Sequence, residues 1–238
     1  MARRGFSLVE CLLGLSLFFL AAAAALEAFG TARTVFVRLK GSQESGLAAY
    51  AVLEKVRFDL ARAGLGLAAA AAWGVVEPVV VSGSAMTLAS AEAEFALAGD
   101  VAAGGDFIIL EEDNEEIKPR REICLLGPEG AEVRTVAAAA AGGIILDSPL
   151  ERSYDTATGR LILIETVRIF LDADGRTLRR KVNASPAQPL LDDLSSFAPS
   201  YDQDANLATV RLTLAAPEEK TYALSLCPKN TLLGRPST

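Results

Sequence analysis

The 238-residue chain is 51% apolar and 22% charged, with a net charge of −7 and no histidine. That size allows one long helix and one modest folded head. Lack of histidine excludes Ser-His-Asp and Cys-His catalysis and the usual zinc sites. The sequence has no Gly-rich phosphate loop and no basic stripe interleaved with aromatic residues, so neither an enzyme nor a nucleic-acid-binding subunit is expected.

The chain begins Met1-Ala2-Arg3-Arg4-Gly5, too short for a secretory signal, followed by Phe6-Ser7-Leu8-Val9-Glu10 and an apolar run from Cys11 to Leu26. A carboxylate at the head of an apolar segment costs roughly 2.5 to 3.5 kcal/mol in hydrocarbon unless it finds a partner, so its presence asks for a role. Phe6 and Glu10 are four apart, on one face of a helix. Arg3 and Arg4 predict a cytoplasmic N-terminus on a single-pass protein of the inner (cytoplasmic) membrane, with the rest outside. Ala21 to Ala25 offers small-residue sites for a cleaved signal. The Glu10 charge and the helical character that continues through Leu26, Phe29, Val35, Phe36 and Leu39 oppose that reading.

Glycine, aromatic residue, glutamate and apolar run in this order resemble the class III signal of type IV prepilins and type II secretion pseudopilins. The resemblance implies cleavage by a prepilin peptidase between Gly5 and Phe6, N-methylation of Phe6, and retention of the apolar segment. It also implies that Glu10 neutralises the terminal amine of a neighbouring subunit on assembly. The chain then divides into a leader (1–5), a transmembrane and filament-core helix (6–26), an amphipathic helix (27–66) and a β head (67–238).

The helix is expected to run on, because no proline precedes Pro78, with Gly30, Gly41 and Gly46 each weakening it by about 1 kcal/mol. Ala49, Val52, Leu53, Val56, Leu60 and Ala63 form an apolar stripe for packing on a sheet. Glu54, Lys55, Arg57, Asp59 and Arg62 are assigned to its other faces, and Gly64 and Gly66 to its stop.

After an Ala-rich connection through Trp73 the period changes. Glu77 to Val81 and Ala85 to Ala89 read as strands around Ser82-Gly83-Ser84, and Glu94 to Leu97 as a short extended piece. Phe107 to Glu112 and Arg121 to Leu126 follow, then the turn Gly127-Pro128-Glu129-Gly130 into Ala131 to Val136, giving a meander. Ala137 to Ala141 is an Ala tract ahead of Ile144-Ile145-Leu146. Leu161 to Phe170 and Thr177 to Val182 form a hairpin about Asp172-Ala173-Asp174-Gly175, and Ala208 to Leu214 and Thr221 to Cys227 are two more strands. The fold class expected is α+β: a long N-terminal helix packed on an antiparallel sheet, pilin-like.

Cys124 and Cys227 both fall in strand segments of a head expected in an oxidising compartment. A bridge between them would constrain the unfolded chain by about 4.7 kcal/mol; two buried free thiols are the other possibility. Some pseudopilins bind calcium, which makes the acidic loops candidate ligands. Asp172 and Asp174 begin like an EF-hand, but Arg176 and Asn183 break it, and Glu111 to Glu116 reads as a solvated loop. Asp202, Asp204 and Asn206 alternate oxygen side chains and are the better candidates, although Leu207 stands where a glycine turn is usual. No metal or cofactor is assigned.

Gln188-Pro189-Leu190-Leu191-Asp192-Asp193-Leu194-Ser195-Ser196-Phe197 resembles a passage of W-type minor pilins and J-type pseudopilins. Phe58-Asp59-Leu60-Ala61-Arg62-Ala63-Gly64 is similar to another. The resemblance implies a minor type IV pilus subunit acting in assembly, initiation or the tip complex. Its partners would be other pilin or pseudopilin subunits and the inner-membrane assembly platform. The alternatives are a J-type minor pseudopilin of type II secretion and, from another class, a secreted β-rich binding protein or adhesin.

Overall fold

In the computed structural model the described residues are 7–111, 115–140, 142–215 and 219–234. Helix α1 spans Leu8–Arg62, 55 residues, or about 80 Å at the usual rise. A bilayer needs only about 20 of them. Its apolar part is long and apolar enough to cross a membrane. The helix is uninterrupted at Gly30, Gly41 and Gly46, since the loss expected at each glycine is small against the hydrogen bonds of such a length. Ser16, Thr31 and Thr34 donate their hydroxyls to the carbonyls of Leu12, Glu27 and Gly30 at 2.8, 3.0 and 3.0 Å. Their polar groups are therefore satisfied within the helix itself.

The chain forms two units, Met1–Leu47 and Ala48–Thr238. The second takes in the last turns of α1, and there the expected stripe is fully realised: Ala49, Val52, Leu53, Val56, Leu60 and Ala63 are all buried. Gly64 and Gly66 then take positive φ values of 79° and 70°. A Cβ at Gly66 would meet the Ala91 Cβ at 2.6 Å, so both backbone conformation and space call for glycine. This turn is stitched to the sheet by Gly64 N–H donating to the Ala89 carbonyl (2.8 Å) and Ala91 N–H to the Leu65 carbonyl (2.7 Å). The Ala-rich connection is partly helical, as α2 (Ala68–Ala72).

Among the described residues nine strands make the larger sheet: β1 (Val79–Ser82), β2 (Ala85–Ala96), β3 (Phe107–Ile109), β4 (Glu122–Gly127), β5 (Gly130–Ala140), β6 (Gly143–Leu146), β7 (Arg160–Leu171), β8 (Leu178–Val182) and β9 (Gln188–Leu191). A three-stranded sheet follows, with β10 (Leu194–Asp202), β11 (Leu207–Leu214) and β12 (Lys220–Leu226), and a short 3-10 helix, η1 (Lys229–Gly234), lies after it. Among the described residues the strand pairings are antiparallel. The class is therefore α+β with helix on sheet.

The expected meander is only part of the topology. β4, β5 and β6 do follow one another, but β7 inserts between β2 and β4. The extended piece expected at Glu94 to Leu97 is mostly the far end of a long β2, which pairs with β7 around an irregularity at Ala91 to Ala93. Much of the Ala tract continues β5 as far as Ala140; Ala141 lies outside the described residues. β9 and β10 are strands that local pattern had not separated from the passage around them. A Leu97–Leu110 bridge, with Ala98 N–H donating to the Ile109 carbonyl (3.0 Å), returns β3 to the end of β2. The strand path β2-β7-β4-β5-β6-β3 thus closes on itself, which removes two sheet edges.

Among the described residues the buried apolar side chains form three cores. The first joins the α1 stripe to Met86, Leu88 and Ile169 of the larger sheet and Phe197, Val210 and Leu212 of the smaller one. The second fills the closed strands, with Phe95, Ile108, Ile123, Leu125, Ile144 and Leu163 inside. The third lies with α2 and includes Leu67, Ala70, Cys124 and Ile162.

Candidate functional site

Gly5 and Phe6, where processing is expected, lie outside the described residues. Glu10 stands in the first turn of α1. The Ser7 N–H donates to Glu10 Oε2 at 3.0 Å, and the Glu10 N–H faces Ser7 Oγ at 3.4 Å. Ser7-Leu8-Val9-Glu10 is a reciprocal capping box, in which hydroxyl and carboxylate each satisfy a backbone donor at a helix start. The S-x-x-E spacing was readable in the sequence. Glu10 therefore has a local partner in the isolated subunit, and a carboxylate near the helix N-terminus is also favoured by the helix dipole. Leu8, Leu12, Leu20 and other apolar side chains around the same helix are exposed.

Asp59 corrects the expectation that it lies on a helix face other than the apolar stripe. It is 5% exposed, because it stands three residues after Val56 and four before Ala63, on the buried stripe. Arg180 of β8 meets it with a paired geometry, Nε to Oδ2 at 2.7 Å and Nη2 to Oδ1 at 3.0 Å. Lys55 lies 3.8 Å from the same carboxylate. Asp59's hydrogen bonds outweigh the burial of Arg180 and raise its pKa further. Two-point recognition of a carboxylate by a guanidinium fixes orientation as well as charge, so this pair sets how the end of α1 sits on β8.

The expected bridge between Cys124 and Cys227 is not made: both are free thiols, one buried and one exposed. Cys124 sits on β4 of the larger sheet and is buried with Ala70, Ala131 and Ile162, whereas Cys227 follows the last strand of the smaller sheet. Burial, with a contribution from the Glu132 carboxylate, pushes the Cys124 thiol up to about 12. A thiol reacts as its thiolate, so Cys124 is chemically quiet. A soluble maleimide applied near neutral pH to the folded protein is expected to modify Cys227 and spare Cys124 until denaturant is added. Equal labelling of the two before unfolding, read by peptide mass, would contradict this placement.

The candidate ligands Asp202, Asp204 and Asn206 are not brought together as a metal site. Asn206 is buried, its Oδ1 accepting from Tyr201 Oη (2.8 Å) and Thr231 Oγ1 (2.6 Å) and its Nδ2 donating to the Pro228 carbonyl (3.0 Å). Its amide is thus spent on tying β10, β11 and η1 together. Asp202 caps the turn by accepting the Ala205 N–H at 2.9 Å. Among the described residues no group of three His, Cys, Asp or Glu side chains is arranged to hold a metal. Asp172 likewise closes its hairpin turn, accepting from the N–H groups of Arg176 and Thr177 at 3.3 and 3.2 Å. Part of the Glu111 to Glu116 run, residues 112–114, lies outside the described residues.

No protein-family model matches the chain, and no curated protein matches it. Among solved structures, the tailspike of an Acinetobacter baumannii bacteriophage, in complex with A. baumannii capsular saccharide, is similar over 32% of this chain and 15% of that chain. Identity is 14% and the TM-score 0.27, too low a likeness to carry an inference about fold or function.

Proposed function

We propose that this protein is a minor subunit of a type IV filament, anchored in the inner membrane before assembly and acting in initiation or the tip complex. The observation that carries the reading is the N-terminal arrangement: Gly5 and Phe6 ahead of one continuous helix with Glu10 in its first turn, apolar at first and amphipathic where it meets a sheet. A prepilin peptidase would cut after Gly5 and methylate Phe6. Subunits would then leave the bilayer through an inner-membrane platform, driven by a separate cytoplasmic ATPase, and pack their apolar helices side by side. In the bilayer the capping box keeps Glu10 hydrogen-bonded while the subunit waits. On assembly the amine of a neighbour's first residue supplies the counter-charge that a buried carboxylate needs. The antiparallel β-rich unit, larger than the small heads that repeated major subunits of this family usually carry, suits a subunit used once rather than repeated along a shaft.

The test is intact-mass and N-terminal analysis of protein extracted from native membranes. A chain beginning at N-methylated Phe6 is expected. A start near Leu26 would overturn the proposal in favour of a secreted protein with a removed signal.

A further inference from the structure

The α1-facing side of the larger sheet is apolar, and its opposite side carries an unusual concentration of positive charge. Along β7 and β8 the core-facing residues are Val167, Ile169, Leu178 and Val182. The alternation of a strand therefore puts Arg168, Phe170, Arg179 and Lys181 on the other side. In register, Arg168 is directly opposite Lys181, and Phe170 opposite Arg179. Like charges directly opposed across two strands destabilise a sheet. Among the described residues neither Arg168 nor Lys181 has a carboxylate within salt-bridge distance, whereas Arg179 has Asp172 at 3.6 Å. Glu122, farther along, accepts the Thr166 hydroxyl at 3.0 Å. This unrelieved repulsion stands in a chain whose net charge is −7.

We propose that this face of β7 and β8 is an interaction surface for an acidic segment of another protein. Three cations around one ring complement a short run of carboxylates. The Arg168 guanidinium lies over the Phe170 ring at 5.0 Å, which holds its planar donors ready for carboxylate oxygens. The same contact occupies one face of the ring, which leaves less aromatic surface there for a nucleic-acid base to stack on. A long polyanion would also run past this small patch onto an acidic protein, whose sequence pI is about 4.8. The proposal does not depend on the filament reading, because it concerns a surface of the isolated chain.

The experiment uses the full chain in a non-ionic detergent, with fluorescent hexaglutamate as probe and hexaglutamine and a hexameric oligothymidylate as comparisons. Hexaglutamate is expected to bind in preference to both, and to weaken as salt screens the charges. In Lys181→Glu, hexaglutamate binding should fall by at least about tenfold. The melting temperature should hold or rise, because an Arg–Lys opposition becomes an Arg–Glu pair. A variant that gains stability while losing the ligand separates a binding role from a structural one. Unchanged hexaglutamate binding in Lys181→Glu, equal binding of hexaglutamine, tighter binding of oligothymidylate, or a lowered melting temperature would each overturn the proposal.

Discussion

Glu10→Ala is expected to leave membrane insertion and cleavage after Gly5 intact while sharply reducing the number of surface filaments. Alanine removes a carboxylate that costs roughly 2.5 to 3.5 kcal/mol at the centre of a membrane helix, so the single subunit should tolerate the change in the bilayer. Assembly should not, since a neighbouring subunit's amine would enter the apolar helix bundle without its counter-charge. An uncompensated buried charge costs about 3 kcal/mol or more, over a hundredfold in an association constant. A subunit that primes each filament once should affect filament number more than length. Because Glu10 also completes the capping box with Ser7, alanine removes two functions at once. Glu10→Gln separates them: glutamine preserves the box but carries no charge. If counter-charge is what assembly needs, Gln should be as defective as Ala. Filament counts in cells carrying only the variant, at matched protein level, provide the measurement. Normal counts with Gln and loss with Ala would reassign Glu10 to helix capping, and normal counts with both would remove it from assembly.

Asp59→Ala is expected to destabilise the β-rich unit by about 3 to 5 kcal/mol, because it strands Arg180 in a largely buried position without its carboxylate. Set against a usual domain stability of about 5 to 15 kcal/mol, that is a large fraction of the total. The loss should not be mistaken for the net worth of the pair, since removing one partner exposes the burial penalty of the other. Replacing both residues, as in Asp59→Leu with Arg180→Met, should therefore recover much of the stability. The readout is the denaturant midpoint of the wild-type chain, the single variant and the double variant in the same detergent. A single variant within about 1 kcal/mol of wild type would show that water reaches Arg180 freely, and the pair would lose its place as the link between α1 and β8.

These two residues show how far one-dimensional pattern reaches. Glu10 was visible because it is a charge at the head of an apolar run; its cap, a serine three residues before the glutamate, is a local spacing too, but only the folded helix start brought it out. The buried stripe of α1, its stop at Gly64 and Gly66 and the β7–β8 hairpin about Gly175 were likewise legible, since each depends on residues within one or two turns of chain. Asp59 lay on that stripe by spacing, but its charge argued for solvent until the folded chain brought Arg180, 121 positions away, into contact. The pairing of β2 with β7, the return of β3 to β2, and the opposition of Arg168 to Lys181 also join distant segments. Local periodicity says which side of a strand is apolar but not which strand lies beside it. The same limit misplaced Asn206 and Cys124: residue type named their possible chemistry, as ligand or disulfide partner. Tertiary packing decided it by burying the amide among hydrogen-bond partners and the thiol among apolar side chains. What local sequence determined was helix, stripe, turns and most strands; what folding alone determined was who meets whom, because partner choice depends on burial and register summed over the whole chain.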